Sequence, residues 1–150
     1  GKESTLAFNL QGGAGMGGMP QFAQYRLGGW NGVRGYRQFS DLGSGTGLLM
    51  GTAEFRTKVP LVPKDGGKIS KFVNDHVKLA FFSDAGVVSG GGLNNSLMGR
   101  NTLAASAGIG VRLKVPMLGL VRLDYGMPLI QSVMSGSFIP RFNIGFGEKF

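Results

Sequence analysis

The chain has no cysteine and a single histidine, which excludes a disulfide framework, thiolate chemistry and a Cys/His zinc site. Charge is scarce as well: 16% of the 150 residues, with 8 acids set against 16 Lys and Arg for a net charge of +8. No apolar run approaches the roughly eighteen residues that a transmembrane helix needs. The opening residues GKESTLAFNL lack the basic start, apolar core and small-residue cleavage site of a secretory leader, so none is expected in this chain. What is abundant is glycine, 28 residues, together with a hydrophobic fraction of 42%. That apolar content argues against disorder, and glycine without a G-X-Y period argues against collagen. The length suits one domain, and neither an internal repeat nor a linker composition marks a second.

Helical periodicity is weak throughout. Period-two alternation instead recurs in stretches of roughly ten residues, the length of a tilted strand that crosses a bilayer. Between residues 102 and 115 one face reads Leu103, Ala105, Ala107, Ile109, Val111, Leu113, and the other reads Ala104, Ser106, Gly108, Gly110, Arg112, Lys114. Between 45 and 59, Leu49, Gly51, Ala53, Phe55 and Val59 oppose Thr52, Glu54, Arg56 and Lys58. Between 119 and 129, Val121, Leu123, Tyr125, Met127 and Leu129 oppose Arg122, Asp124 and Gly126. Leu6, Phe8 and Leu10 alternate with Thr5, Ala7 and Asn9, and Phe142, Ile144 and Phe146 with Arg141, Asn143 and Gly145. A less regular stretch sets Val77, Leu79, Phe81, Ala85 and Val87 against Lys78, Phe82, Asp84 and Gly86.

The expectation is an all-β chain of six long strands, at 4–14, 45–59, 76–88, 102–115, 119–129 and 140–149. Strands of soluble proteins average about five or six residues. Ten or more in every strand, with a polar and glycine-containing face opposite an apolar one, is the pattern of a transmembrane antiparallel β-barrel. An all-β soluble domain is the alternative that periodicity leaves open. The connections alternate between long (15–44, 89–101 and 130–139) and a tight turn at Pro116, Met117 and Leu118, as in outer-membrane barrels. Residues 60–75, PLVPKDGGKISKFVND, form a long connection on the side where short ones are expected.

The longest loop contains YRLGGWNGVRGY, residues 25–36. Its tail Val33, Arg34, Gly35, Tyr36 resembles the signature of the sixth extracellular loop in the barrel-assembly superfamily of outer-membrane proteins, the BamA-like bacterial surface antigens and their organellar relatives. FSDAG (82–86) resembles that family's F-x-D-x-G strand motif through Phe82, Asp84 and Gly86, and TAEFRTKVPL (52–61) the strand before it. LGLVRLDYGMPL (118–129) is similar to the penultimate strand, and RFNIGFGEKF (141–150) to the last. Five landmarks in the family's order span nearly the whole chain. The resemblance implies a barrel of sixteen strands, of which this chain is the C-terminal part, with the VRGY loop folded into the lumen and its Arg meeting acids on the inner wall. It also implies that Phe142, Ile144, Phe146 and the terminal Phe150 form the signal read during assembly into the membrane. Alternation independently puts Glu54 and Asp84 on inner faces of successive strands, within reach of Arg34, while Arg122 and Asp124 fit a lumen-solvating ladder that could pair with Arg112 or Lys114.

The resemblance further implies a role in outer-membrane protein assembly: nascent β-barrel proteins are inserted and folded by strand templating at the barrel seam. A polypeptide-translocating pore of the same superfamily and a passive barrel are the alternatives. The expected partners are the lipid bilayer, unfolded outer-membrane or secreted polypeptides, the remainder of the barrel and accessory assembly subunits, in a bacterial outer membrane or that of a plastid or mitochondrion. The soluble repeats that precede the barrel in most members are not in this chain. Six strands cannot close such a barrel, so the chain is expected to be a fragment; a short barrel, or one completed by another subunit, is the alternative. A nucleic-acid partner is not expected, because the aromatics fall on the apolar faces and do not interleave with the cations. Nor is an enzyme: His76 has no nucleophile-elbow serine beside it, and the glycines of GGAGMGG (12–18) lead into Pro20 and not into a phosphate-binding helix. No cofactor or metal is expected.

Overall fold

A computed structural model describes residues 4–16, 18–29, 31–37, 44–59, 67–90, 102–130 and 139–147. In chain order they form β1 (Ser4–Ala14), a single 3-10 turn at Gln21–Ala23, β2 (Tyr25–Arg26), β3 (Ser44–Gly45), β4 (Gly47–Lys58), α1 (Gly67–His76), β5 (Val77–Ser89), β6 (Thr102–Val115), β7 (Gly119–Pro128) and β8 (Arg141–Phe146). Six of the strands make one antiparallel sheet in the order β1-β4-β5-β6-β7-β8, each paired with its neighbour in sequence. The short β2 and β3 pair separately within the long loop. The sheet is open, with β1 and β8 as its edges, and forms part of a barrel wall. No helix among the described residues is long and apolar enough to cross a membrane.

Register turns the alternation of each strand into rows across the wall. One inner row runs Ala7, Glu54, Phe82, Gly108, Gly126, Arg141; the next runs Thr5, Arg56, Ala80, Gly110, Asp124, Asn143. Asn9, Thr52, Asp84, Ser106 and Pro128 share a third row, and Lys58, Lys78, Arg112, Arg122 and Gly145 a fourth. Burial is the reverse of a soluble domain. The buried side chains include Arg34, Glu54, Asp84, Arg112, Arg122 and Asp124, whereas Phe8, Phe81, Ile109, Tyr125 and Phe142 are exposed. Apolar outside and polar inside is the arrangement a lipid solvent demands.

The apolar core is small and lies between the wall and the loop. Leu27, Val33 and Tyr36 of the loop pack against Met50 of β4, Val88 of β5 and Ala104 of β6.

Two departures from the sequence expectation concern the ends of strands. Residues 67–75, expected as part of a loop, and His76, expected to open a strand, form α1. Ile69, Phe72, Val73 and His76 do have helical spacing, but ten residues within a Gly-, Lys- and Pro-rich connection are too few for the period to stand out. The last strand is also shorter than expected, ending at Phe146, with Gly147 at φ +82° behind it; residues 148–150, Phe150 among them, lie outside the described residues.

Candidate functional site

The VRGY segment is a tight turn that bonds first to itself. The Val33 N–H donates to the Leu27 carbonyl at 2.6 Å, Gly32 N–H to Gly29 at 3.1 Å, and Gly29 N–H to Tyr36 at 3.1 Å. Gly35 takes φ +97°, a backbone region that L side chains avoid. It lies against the backbone of Gly126 on β7, where an added β-carbon would sit 2.9 Å from the Gly35 nitrogen. Glycine is therefore needed on both sides of this contact, and alternation alone explains neither.

The close approach sets Arg34 onto the wall. Its guanidinium lies 3.5 Å from the centroid of the Phe82 ring, a cation–π contact within an interior that excludes water. Nε and Nη2 donate to the two oxygens of Asp84 at 2.8 and 2.9 Å, and the Arg34 backbone N–H also donates to Asp84 Oδ2, at 3.0 Å. Nη1 donates to Glu54 at 2.8 Å and to Asp124 at 3.2 Å. One side chain thus ties the loop to β4, β5 and β7.

A second arginine completes the arrangement. Arg112 on β6 holds Glu54 through Nε at 2.9 Å and Nη2 at 2.6 Å, and reaches Asp124 through Nη1 at 2.5 Å. Arg56 adds a bond from Nε to Glu54 at 2.7 Å. Three carboxylates and three guanidiniums come together, so each of these six charges faces an opposite one. Such bidentate, charge-assisted bonds are stronger in a dry interior than at a surface.

Beyond the ion cluster, the Tyr36 hydroxyl lies 3.0 Å from the Ala105 carbonyl on β6 and 2.5 Å from that of Ile130, just past the end of β7, so one proton is shared between the two acceptors. Val33 is fully buried in the core behind the motif. Gly86 faces Leu27, whose side chain occupies the space a β-carbon would need. Phe142, Ile144 and Phe146 are brought to none of this: they line the outer face of β8 and are exposed.

Residues 3–150 match the family model of the Omp85 superfamily domain. The chain belongs to the Omp85 superfamily. Comparison with curated proteins finds none that matches. Membership places this Omp85 domain in an outer membrane, in a family concerned with inserting polypeptides into that membrane or moving them across it.

Sequence reasoning singled out Arg34, Glu54 and Asp84, which the Omp85 fold brings into direct contact. It assigned Arg122 and Asp124 to a solvated ladder that pairs with Arg112 or Lys114; Asp124 does bond Arg112, but both residues are buried and Asp124 also bonds Arg34, which the ladder did not include. The reason is the loop. Alternation shows which face a residue points to, but not that another segment will cover that face and exclude water. Arg112 was missed as a partner of Glu54 for a related cause. Its parity was visible, but the two sit on nonadjacent strands, four residues' worth of register apart along the wall.

Proposed function

We propose that the barrel containing this chain inserts and folds nascent β-barrel proteins into a bacterial outer membrane, with β8 as the strand that templates an incoming edge. The observation that carries this reading is the contrast in pairing along the wall. Among the described residues twelve pairs join β4 to β5 and twelve join β5 to β6, whereas six join β7 to β8. A short, glycine-terminated edge strand offers unpaired N–H and C=O groups and gives up its own pairing easily, which suits strand addition. No bond chemistry and no cofactor is involved in this scheme. Its partners are unfolded outer-membrane polypeptides, the lipid bilayer, the strands that complete the wall, and accessory assembly subunits.

The test is reconstitution of the full barrel in vesicles with a second, unfolded β-barrel protein as substrate. Acceleration of substrate folding is expected. A cross-link from a cysteine placed at Asn143 to the strand facing β8 across the seam should abolish that acceleration, and the absence of Cys in this chain keeps the cross-link unambiguous within it. Ion conductance without acceleration would identify a passive barrel. Movement of a secreted polypeptide across the membrane would identify a translocase instead.

A further inference from the structure

The end of the wall that carries α1 and the β6–β7 turn has features that the loop and its ion cluster do not use. We propose that α1 and this turn form an interfacial anchor, seated among the headgroups of the adjacent leaflet and binding anionic phospholipid.

Strand register places the two connections together. Val77, directly after α1, pairs with Leu113 near the end of β6, and Val115 pairs with Gly119 across the turn. Ser70, Val73, Asn74 and His76 are the half-buried residues of α1. Its largest apolar side chains are the ones left exposed: Ile69 is 81% exposed and Phe72 53%. A ten-residue helix is too short to persist in water on its own, and one that packed as a soluble element would bury Ile69 and Phe72 against the body. Here they are uncovered, one turn apart, with exposed Lys68 and Lys71 beside them.

The turn gives a second, independent sign of the same surroundings. Met117 takes φ +69°, a conformation usually filled by Gly or Asn in a water-exposed turn, and Met117 and Leu118 are both solvent-exposed. Two connections from different parts of the sequence thus present large apolar side chains at the rim where polar ones are the rule. Apolar groups flanked by lysine suit the boundary between acyl chains and headgroups, with the apolar part immersed and the ammonium among phosphates. The cationic excess of Lys68 and Lys71 over Asp75 selects anionic headgroups. The rim is also continuous with the apolar outer face of β5 to β7, so the surface that enters lipid does not stop at the strand ends.

A spin label attached at Ile69→Cys or Met117→Cys in the full barrel, reconstituted in phosphatidylcholine vesicles with or without phosphatidylglycerol, tests this. Both sites are exposed and neither belongs to the ion cluster, and heat-modifiable gel mobility checks that the labelled barrels are folded. Relaxation by oxygen should exceed relaxation by a water-soluble nickel complex at both positions, and the opposite should hold for a label at Asp75→Cys. Phosphatidylglycerol should move the label at residue 69 deeper, and that shift should vanish in a Lys68→Gln, Lys71→Gln background. Nickel accessibility at 69 and 117 would place the rim in water and overturn the proposal. Protection from both reagents would mean that a polypeptide covers it, and overturn it equally. A lipid-dependent shift that survives the double lysine substitution would overturn the headgroup contact.

Discussion

The middle of this wall and its β8 edge are built from the same kind of strand and held in opposite ways. Across β4 to β7 the ladders are long, and a loop crosses the inner face, bonded to three of the strands through one arginine. At β8 the ladder is half as long as in the middle, and the ion pairs of the cluster among the described residues lie on the loop and on β4 to β7. Stability here is not a property of β-pairing alone. The loop adds cross-links on the inner face of the sheet, and among the described residues the bonds of its arginine reach β4, β5 and β7.

The largest disturbance to this division should come from Arg34→Ala. It leaves Asp84 without its two side-chain bonds and Glu54 and Asp124 with one partner fewer, in a buried site; a loss of about 3–5 kcal/mol is expected, read as a lower midpoint in heat-modifiable mobility. Arg34→Lys keeps the charge but cannot make the fork, and should fall between the two. Next is Gly126→Ala, whose β-carbon would press on the Gly35 backbone and should cost about 1–3 kcal/mol on the same assay. Tyr36→Phe removes the bond to Ala105 and Ile130 and should cost about 1 kcal/mol. The smallest effect on stability, and the sharpest on the comparison, concerns native hydrogen exchange. Amides of β8 should exchange about tenfold or more faster than those of β5 and β6, and Arg34→Ala should narrow that gap by loosening the centre. Equal protection of β8 and β5 in the unaltered protein would remove the distinction.

The strands were legible because lipid and lumen impose opposite demands on neighbouring residues, and Leu103 to Leu113 or Val121 to Leu129 record this one residue at a time. Arg34, Glu54 and Asp84 were legible from motif and parity together. What could not be read is whatever depends on a second segment arriving. The burial of Asp124 and Arg122, the partnership of Arg112 with Glu54, and the fit of Gly35 on Gly126 all exist because the loop lies on the wall. α1 stayed hidden for another reason: its apolar residues have the right spacing, but ten residues in a Gly-, Lys- and Pro-rich connection are too few for the period to stand out.

The bonds of Arg34 have a direction along the chain. Its partners follow it by 20, 50 and 90 residues, so the arginine is made before every acid it binds. A wall that lacks β4, β5 or β7 can accept the loop only in part. Closure over such sequence separations is slow, because chain entropy is lost before the contacts repay it. The side chain therefore works as a check as well as a clasp: its full set of bonds forms only where β4, β5 and β7 all stand in register.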